Sequence, residues 1–189
     1  GTLTITYVKL LAGNHASQPT TTKRPVLKVD GNGKYYLQGD GVDDFMSTAA
    51  IDFTGADSVT IWQGVQKLSD TESGVLCELG AESITLNGTF GVFAPEPSGT
   101  GYMFNSRGTS RAFVFSPSHP APHKCVLTAQ GRISTDTCAI QINEAVVMTN
   151  AADQGINAYT LNPMYFGSRG GTSNFFGGEQ YSSVGIGKP

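Results

Sequence analysis

The sequence predicts an all-β fold, a sandwich or a barrel, and three observations carry that prediction. Charged residues make up only 14% of the 189 positions while glycines number 24, the balance of strands joined by turns. Roughly a dozen short runs rich in Val, Thr and aromatic residues are separated by polar stretches bearing Gly or Pro. No segment carries a convincing helical period. A chain of this length buries roughly 70% of its unfolded surface, so one domain spanning 1–189 folds without requiring a metal or a disulfide.

Taken in order, residues 1–11 alternate as an opening strand with Leu3, Ile5 and Tyr7 on one face. The segment 12–25 holds two prolines and a Thr triplet, which suits a surface loop. Val26–Val29 is a short run, and Asp30-Gly31-Asn32-Gly33 a turn. The stretch from Tyr35 to Met46, YYLQGDGVDDFM, reads as strand, tight turn, strand. Gly39 and Gly41 flank Asp40 there to supply positive φ, and the Asp side chain can accept from the backbone beyond it. STAAIDFTGADS, residues 47–58, then reads as a connection.

Ser58–Leu68 is the longest strand-like run, with Val59, Ile61 and Val65 on one face and Trp62, Gly64 and Leu68 on the other. Apolar weight on both faces places it mid-sheet and makes Trp62, the only tryptophan, a core anchor. Gly74–Leu79 is a further strand. Asn87-Gly88 between β-rich flanks signals a hairpin within 83–94, although a two-residue loop would mix apolar and polar residues on both faces. Strands follow through Tyr102 and Phe104 and at Arg111–Ser116, joined by 105–110. The next are Lys124–Gln130, Thr137–Asn143, Ala145–Met148, Thr160–Gly167 and Tyr181–Ile186, with a glycine-rich loop at Ser168–Gly178 before the last.

The net charge is −3 and no basic cluster exceeds the Lys23-Arg24 pair, so nucleic acid is not an expected partner. No apolar run reaches the ~18 residues of a membrane helix, and the first residues lack a charged-then-apolar leader pattern. A soluble, unprocessed chain is expected. Cys77, Cys125 and Cys138 stand at no metal-ligand spacing and read as buried thiols made in a reducing compartment.

Several segments together resemble one family: NHASQPTTTKRPVL, the run from Tyr35 to Asp70, the stretch Leu86–Phe93, ADQG at 152–155, and LNPMYFGSRGGTSNFFGGEQYSSVGIG. They are similar to the concanavalin A-like lectin/glucanase domains, of the laminin-G and pentraxin kind, found in bacteriophage and prophage tail and other virion proteins. The resemblance implies a jelly-roll β-sandwich of two curved antiparallel sheets. It also implies a lectin-like virion module that binds a host cell-surface glycan for adsorption, with other virion proteins as partners and a homotrimer by analogy. Its place would be the particle surface after synthesis in the host cytoplasm. Such domains usually continue into a short C-terminal helix beyond the equivalent of Pro189, so an abbreviated member or part of a longer polypeptide is expected. The different-class alternative is a decoration domain that packs against virion proteins and binds no sugar.

Glycosidases of this fold resemble one another through a Glu-x-Asp-x-Glu strand, which is absent here. The nearest carboxylates, Glu78 and Glu82, would lie ~13 Å apart on one extended strand, beyond the ~5–9.5 Å that glycoside hydrolysis needs, although a bend at Gly80 would shorten that distance. A glycan hydrolase is therefore the third reading, and no catalytic residue is assigned. His119, His123 and Cys125 lack a fourth ligand for zinc. Asp40, Asp43 and Asp44 offer oxygens to calcium, but turn capping explains Asp40 without an ion; no metal or other cofactor is assigned. Sugar binding needs aromatic faces and planar polar groups. Two stretches supply both: Tyr102, Phe104, Asn105 and Arg107, and Arg169, Asn174, Phe175 and Phe176, of whose two adjacent phenylalanines one faces the core. Tyr102, Asn105, Arg107, Arg169, Asn174 and Phe175 are the candidate ligand residues.

Overall fold

A computed structural model describes residues 3–4, 7–8 and 14–182. Its strands, in chain order, are β1 (Leu3–Thr4), β2 (Tyr7–Val8), β3 (Ala16–Ser17), β4 (Val26–Val29), β5 (Tyr35–Asp40), β6 (Met46–Asp52), β7 (Ser58–Lys67) and β8 (Val75–Leu79). They continue as β9 (Thr89–Phe93), β10 (Met103–Arg107), β11 (Arg111–Phe115), β12 (His123–Arg132), β13 (Thr137–Ile142), β14 (Met148–Asn150), β15 (Leu161–Phe166) and β16 (Gly177–Ser182). Two 3-10 turns, Thr21–Lys23 and Ile133–Thr135, are the helical elements among the described residues.

The strands form two antiparallel sheets packed face to face, the jelly-roll sandwich expected. The first runs β1-β4-β5-β16-β7-β12-β13-β14 and the second β11-β10-β9-β8-β15-β6-β3-β2. Between them lies one core in which Val59, Ile61 and Val65 of β7 and Leu127 and Ala129 of β12 meet Leu76, Phe90, Val92, Phe104 and Met164 of the second sheet. Alternation along each strand decides this: every second residue of β7 and β12 is buried.

The 35–46 stretch is the point where the chain leaves one sheet for the other, β5 belonging to the first and β6 to the second. Gly41 takes φ +77° in that turn, as expected. Gly39 does not; it is a strand residue where a Cβ would come within 2.5 Å of the Phe176 carbonyl oxygen, so close backbone approach requires it. Asp40 Oδ1 accepts from the backbone N–H of Val42, Asp43 and Asp44 at 2.8, 3.2 and 3.3 Å.

Several expectations need correction. The opening strand is two short pairings in different sheets, β1 on β4 and β2 on β3, and Ile5 lies outside the described residues. The segment 47–58 begins as strand, since β6 pairs with both β3 and β15. Asn87-Gly88 is a turn with Gly88 at φ +70°, but not a hairpin between its flanks. β9 pairs instead with β8 across the loop 80–88, because the fully buried β8 outweighs a local register that would mix polar and apolar faces. The run 145–148 is irregular up to residue 147, with the strand displaced to β14. Residues 183–186 of the last predicted strand lie outside the described residues.

β7 is central, between β16 and β12, yet only its inner face is buried. Trp62 is 48% exposed on the outer face, diagonal to Val126 at 55%. Period-2 alternation puts a Trp on the side opposite Ile61, and that side faces water. The inner face of β7 instead carries Gln63 and Lys67, both buried.

Candidate functional site

The outer face of the second sheet begins with a row of paired residues. Tyr165 lies opposite Glu78, Glu78 opposite Gly91, Gly91 opposite Asn105, and Asn105 opposite Phe113. On one side of this row stand Phe93, Met103 and Phe115, and on the other Thr89, Arg107 and Arg111. The loop 80–88 covers the β8–β9 half of the face, where Val75, Phe93 and Met103 are buried with Ile84 packed on them. The β11 edge stays open, with Phe113 38% and Phe115 37% exposed.

Polar residues of the sheet and of the loop after β15 pin the covering loop. Glu78 Oε1 accepts from Ser83 N–H at 2.6 Å, and Asn105 Nδ2 donates to Ser83 O at 3.1 Å. Arg107 donates from Nε to Asn87 Oδ1 (3.1 Å), from Nη1 to Ile84 O (3.2 Å) and from Nη2 to Thr109 O (3.4 Å). Arg169 lies over the Phe93 ring, 5.3 Å from its centroid. Its Nη1 is 3.3 Å from Glu82 Oε1 and its Nε 3.7 Å from Glu78 Oε1. Both are ion pairs without the geometry of hydrogen bonds, and Arg169 Nε and Glu82 Oε1 are buried with no hydrogen-bond partner. Burial raises the Glu78 carboxyl above the ordinary range; its bonds to Ser83 and the charge of Arg169 oppose that without cancelling it.

At the open edge the arrangement differs. β11 reads Arg-Ala-Phe-Val-Phe, with Ala112 and Val114 in the core and Arg111, Phe113 and Phe115 outward. The two phenylalanines meet edge to face at 5.3 Å, and the Arg111 guanidinium lies 4.6 Å from the Phe113 ring centroid. Arg111 Nη2 reaches only Met103 Sδ at 3.6 Å, and its buried Nε has no hydrogen-bond partner. Burial lowers the Arg111 pKa, and the like charges of Arg169 and Arg107 lower it further. The edge carbonyl of Phe113 is taken by Asn150 Nδ2 at 2.7 Å, which ties β11 to the rim of the other sheet.

The sequence-chosen candidates divide. Asn105, Arg107 and Arg169 converge on this face, but they serve first as supports of the loop 80–88, and Asn105 is fully buried. Tyr102 belongs to the core, 0% exposed, with its hydroxyl 2.9 Å from His123 Nδ1; its side chain alternates inward from the face that Met103 occupies. Phe104 is likewise core. Asn174, in the left-handed region at φ 47°, donates to Ser73 O at 3.1 Å while its carbonyl accepts from Val75 N–H, which makes it a joint of the loop. Of the two adjacent phenylalanines, Phe176 is the buried one, and Phe175 is half-buried against Phe45, 6.4 Å between centroids. Arg111, Phe113 and Phe115 were missed, although the alternation of RAFVF was their signal.

Glu78 and Glu82 do not keep the ~13 Å spacing of a straight strand, because Gly80 at φ +81° bends the chain and both reach one guanidinium. At the sheet crossing, one carboxylate oxygen each from Asp40, Asp43 and Asp44 lies within 4.8 Å of the others. Desolvation first, then the Asp40 charge, pushes Asp44 up to about 6. The Asp40 oxygen is already engaged by three N–H groups, and Asp44 Oδ2 accepts from Asp40 N–H at 3.2 Å, so the cluster is accounted for as a capped turn. All three cysteines are free and buried.

An antiparallel sandwich with a half-covered sheet face and an aromatic and arginine edge is the class of protein these observations define. Among solved structures the chain is similar to the CBM40 carbohydrate-binding module of the Ruminococcus gnavus IT-sialidase, described once bound to alpha2,3 sialyllactose and once as CBM40. Each match has a TM-score of 0.54 and 12% identity and covers 76% of this chain and 91% of that chain. These neighbours are binding modules and not catalytic domains, and at this identity the likeness establishes the fold. No family model and no curated protein matches the chain.

Proposed function

We propose that this chain is a non-enzymatic, lectin-like module that binds carbohydrate on the outer face of its second sheet, at the β11 edge. The observation that carries the reading is Arg111, with a buried Nε lacking any partner, stacked on an exposed Phe113 beside an exposed Phe115. Aromatic faces bury the C–H faces of sugar rings, and a guanidinium that lacks a partner gains hydrogen bonds on binding. The binding modules among its structural neighbours support the same reading. Hydrolysis is not part of it: Glu78 is fully buried and only Glu82 of the two is partly exposed, so the pair does not present two carboxylates to one glycosidic bond.

The finer reading is adsorption of a virion to a host cell-surface glycan, with many copies of a weak site acting together. Display on the particle surface, neighbouring virion proteins as partners and a homotrimer rest on the resemblance of the segments at 14–70 and 161–187. A second reading is favoured by Trp62 and Val126, exposed as diagonal neighbours on the first sheet: a decoration domain using that patch to pack against virion proteins. The loops 105–110 and 168–178 favour it too, since neither presents a fully exposed aromatic.

The deciding experiment is a screen of the purified chain against glycans, sialyllactose and lactose among them, and host polysaccharides, with released sugar monitored. Saturable binding without sugar release, weakened about tenfold by Phe113→Ala, is the expected result. A folded protein that binds no glycan would favour the decoration domain, and sugar release would return the carboxylates to consideration.

A further inference from the structure

Three guanidinium groups act on the same face, and two of them are committed. Arg107 spends all three nitrogens on the loop 80–88 and the β10–β11 turn. Arg169 is held between Glu78 and Glu82. Arg111 has no carboxylate within ion-pair range among the described residues, its Nε is orphaned, and its Nη2 meets only a thioether. The terminal nitrogens of the planar fork can receive the two oxygens of a carboxylate. The Phe113 ring fixes the plane of that fork from one side, so little side-chain freedom remains to be lost on binding.

We infer that Arg111 reads a carboxylate on the ligand, and that the saccharides this face takes are acidic ones whose carboxylate pairs with the terminal nitrogens of its guanidinium while the ring lies against Phe113 and Phe115. This rests on the carbohydrate-binding reading above and names the class of sugar. The positive potential of Arg107 and Arg169 at Arg111 favours an anion over a neutral group. Glu82 also acts on Arg111 electrostatically, so the face carries a small excess of positive charge. One singly charged carboxylate matches one free arginine. A dianionic phosphate group, or a run of sulfates, would bring charge that the face cannot pair and that Glu78 and Glu82 would repel.

The test is binding of the whole chain to oligogalacturonates and sialylated oligosaccharides, each beside its own carboxylate methyl ester, with dextran and dextran sulfate alongside. The free acid should bind at least about tenfold more tightly than its ester, with an affinity that falls as salt rises. Arg111→Ala should erase that preference, and Arg111→Lys, which keeps the charge and loses the fork, should retain only part of it. Circular dichroism melts confirm that each variant is folded. Acid and ester binding equally, or a preference that survives Arg111→Ala, would overturn the assignment while leaving the glycan reading intact. Preference for dextran sulfate over the carboxylates would also overturn it. Binding to none of these by a folded protein would overturn the acidic-sugar assignment, and weak binding to dextran alone would do so while sparing the broader reading.

Discussion

His119 and His123 stack face to face, 4.5 Å between ring centroids and 29° between planes, over the fully buried Lys67. The Lys67 ammonium pairs with Asp70 and donates to the carbonyls of Thr100 and His119. Tyr102 completes the cluster through its contact with His123, and Cys125 lies on the adjoining strand. Together they fasten the proline-rich strap 116–122, which joins β11 of one sheet to β12 of the other.

Both histidines have pKa values pushed below the ordinary 6.5, by burial first and then by neighbouring positive charge: Lys67 for both, and His119 acting on His123, which Asp70 partly offsets. The unfolded chain therefore binds these protons more tightly than the folded one. Their contribution to stability is present above pH 6.5 and is lost as pH falls through the lowered folded values. Melting temperature should drop between pH 7.5 and 4.5, and His119→Asn/His123→Asn should flatten that part of the profile. An unchanged profile in the double variant would show that the stacked pair does not couple to folding.

Asp44 works in the opposite direction. Its folded pKa, raised from 3.8 to about 6, means that the carboxylate destabilises the fold above pH 6 and that this cost fades as pH falls toward 3.8. Asp44→Asn keeps an acceptor for Asp40 N–H. It should stabilise the protein at pH 7.5, on the order of 1–2 kcal/mol after solvent screening, and do nothing at pH 3.5. A variant less stable than wild type at pH 7.5 would mean that the charge itself is needed, as a bound cation would require.

Lys67→Met removes a buried ammonium and leaves Asp70 and two carbonyl groups without their donor. Breaking one side of such a pair costs about 3 kcal/mol or more. Urea unfolding should show this as a fall in midpoint, and a loss under 1 kcal/mol would indicate that water takes the place of the ammonium.

Trp62 is the only tryptophan and stands half-exposed on the first sheet, so fluorescence reports on that face alone. Folded protein should emit at long wavelength and be quenched readily by acrylamide. Trp62→Ala should cost less than about 1 kcal/mol, against about 3–5 kcal/mol for Phe90→Ala in the core. Blue-shifted, protected emission would reveal that another chain covers the patch.

The thiols should stay silent until the chain unfolds. Burial pushes Cys77 and Cys138 up to about 12, and Cys125 is raised as well, which removes the reactive thiolate at neutral pH. An aromatic disulfide reagent should titrate none in native buffer and all three in denaturant.

Much of this architecture could be read from the chain because its rules are local. Asp40 and Gly41 announce the crossing between sheets through turn chemistry that needs no distant partner, and Val59, Ile61 and Val65 share a face by the geometry of an extended backbone alone. Asn87-Gly88 marks a turn for the same reason. Which strand its flanks would join is a different matter, since β8 competes for β9 from outside the local sequence. Trp62 shows the same limit: alternation places it opposite Ile61, but only the stacking of the sheets decides which side is core.

The binding face depends on partition among distant residues. Arg107, Arg111 and Arg169 are chemically alike in the sequence. Folding brings Arg169 beside Glu78 and Glu82 and sets Arg107 against the loop 80–88, leaving Arg111 with only a thioether and an aromatic ring. The sequence by itself determined the all-β class, the turns and the faces of individual strands, because backbone alternation and glycine stereochemistry act within a few residues. Only the tertiary structure decided which sheet face stays open and which arginine is left without a partner, because charges separated widely along the chain find or miss one another only after the sheets have packed.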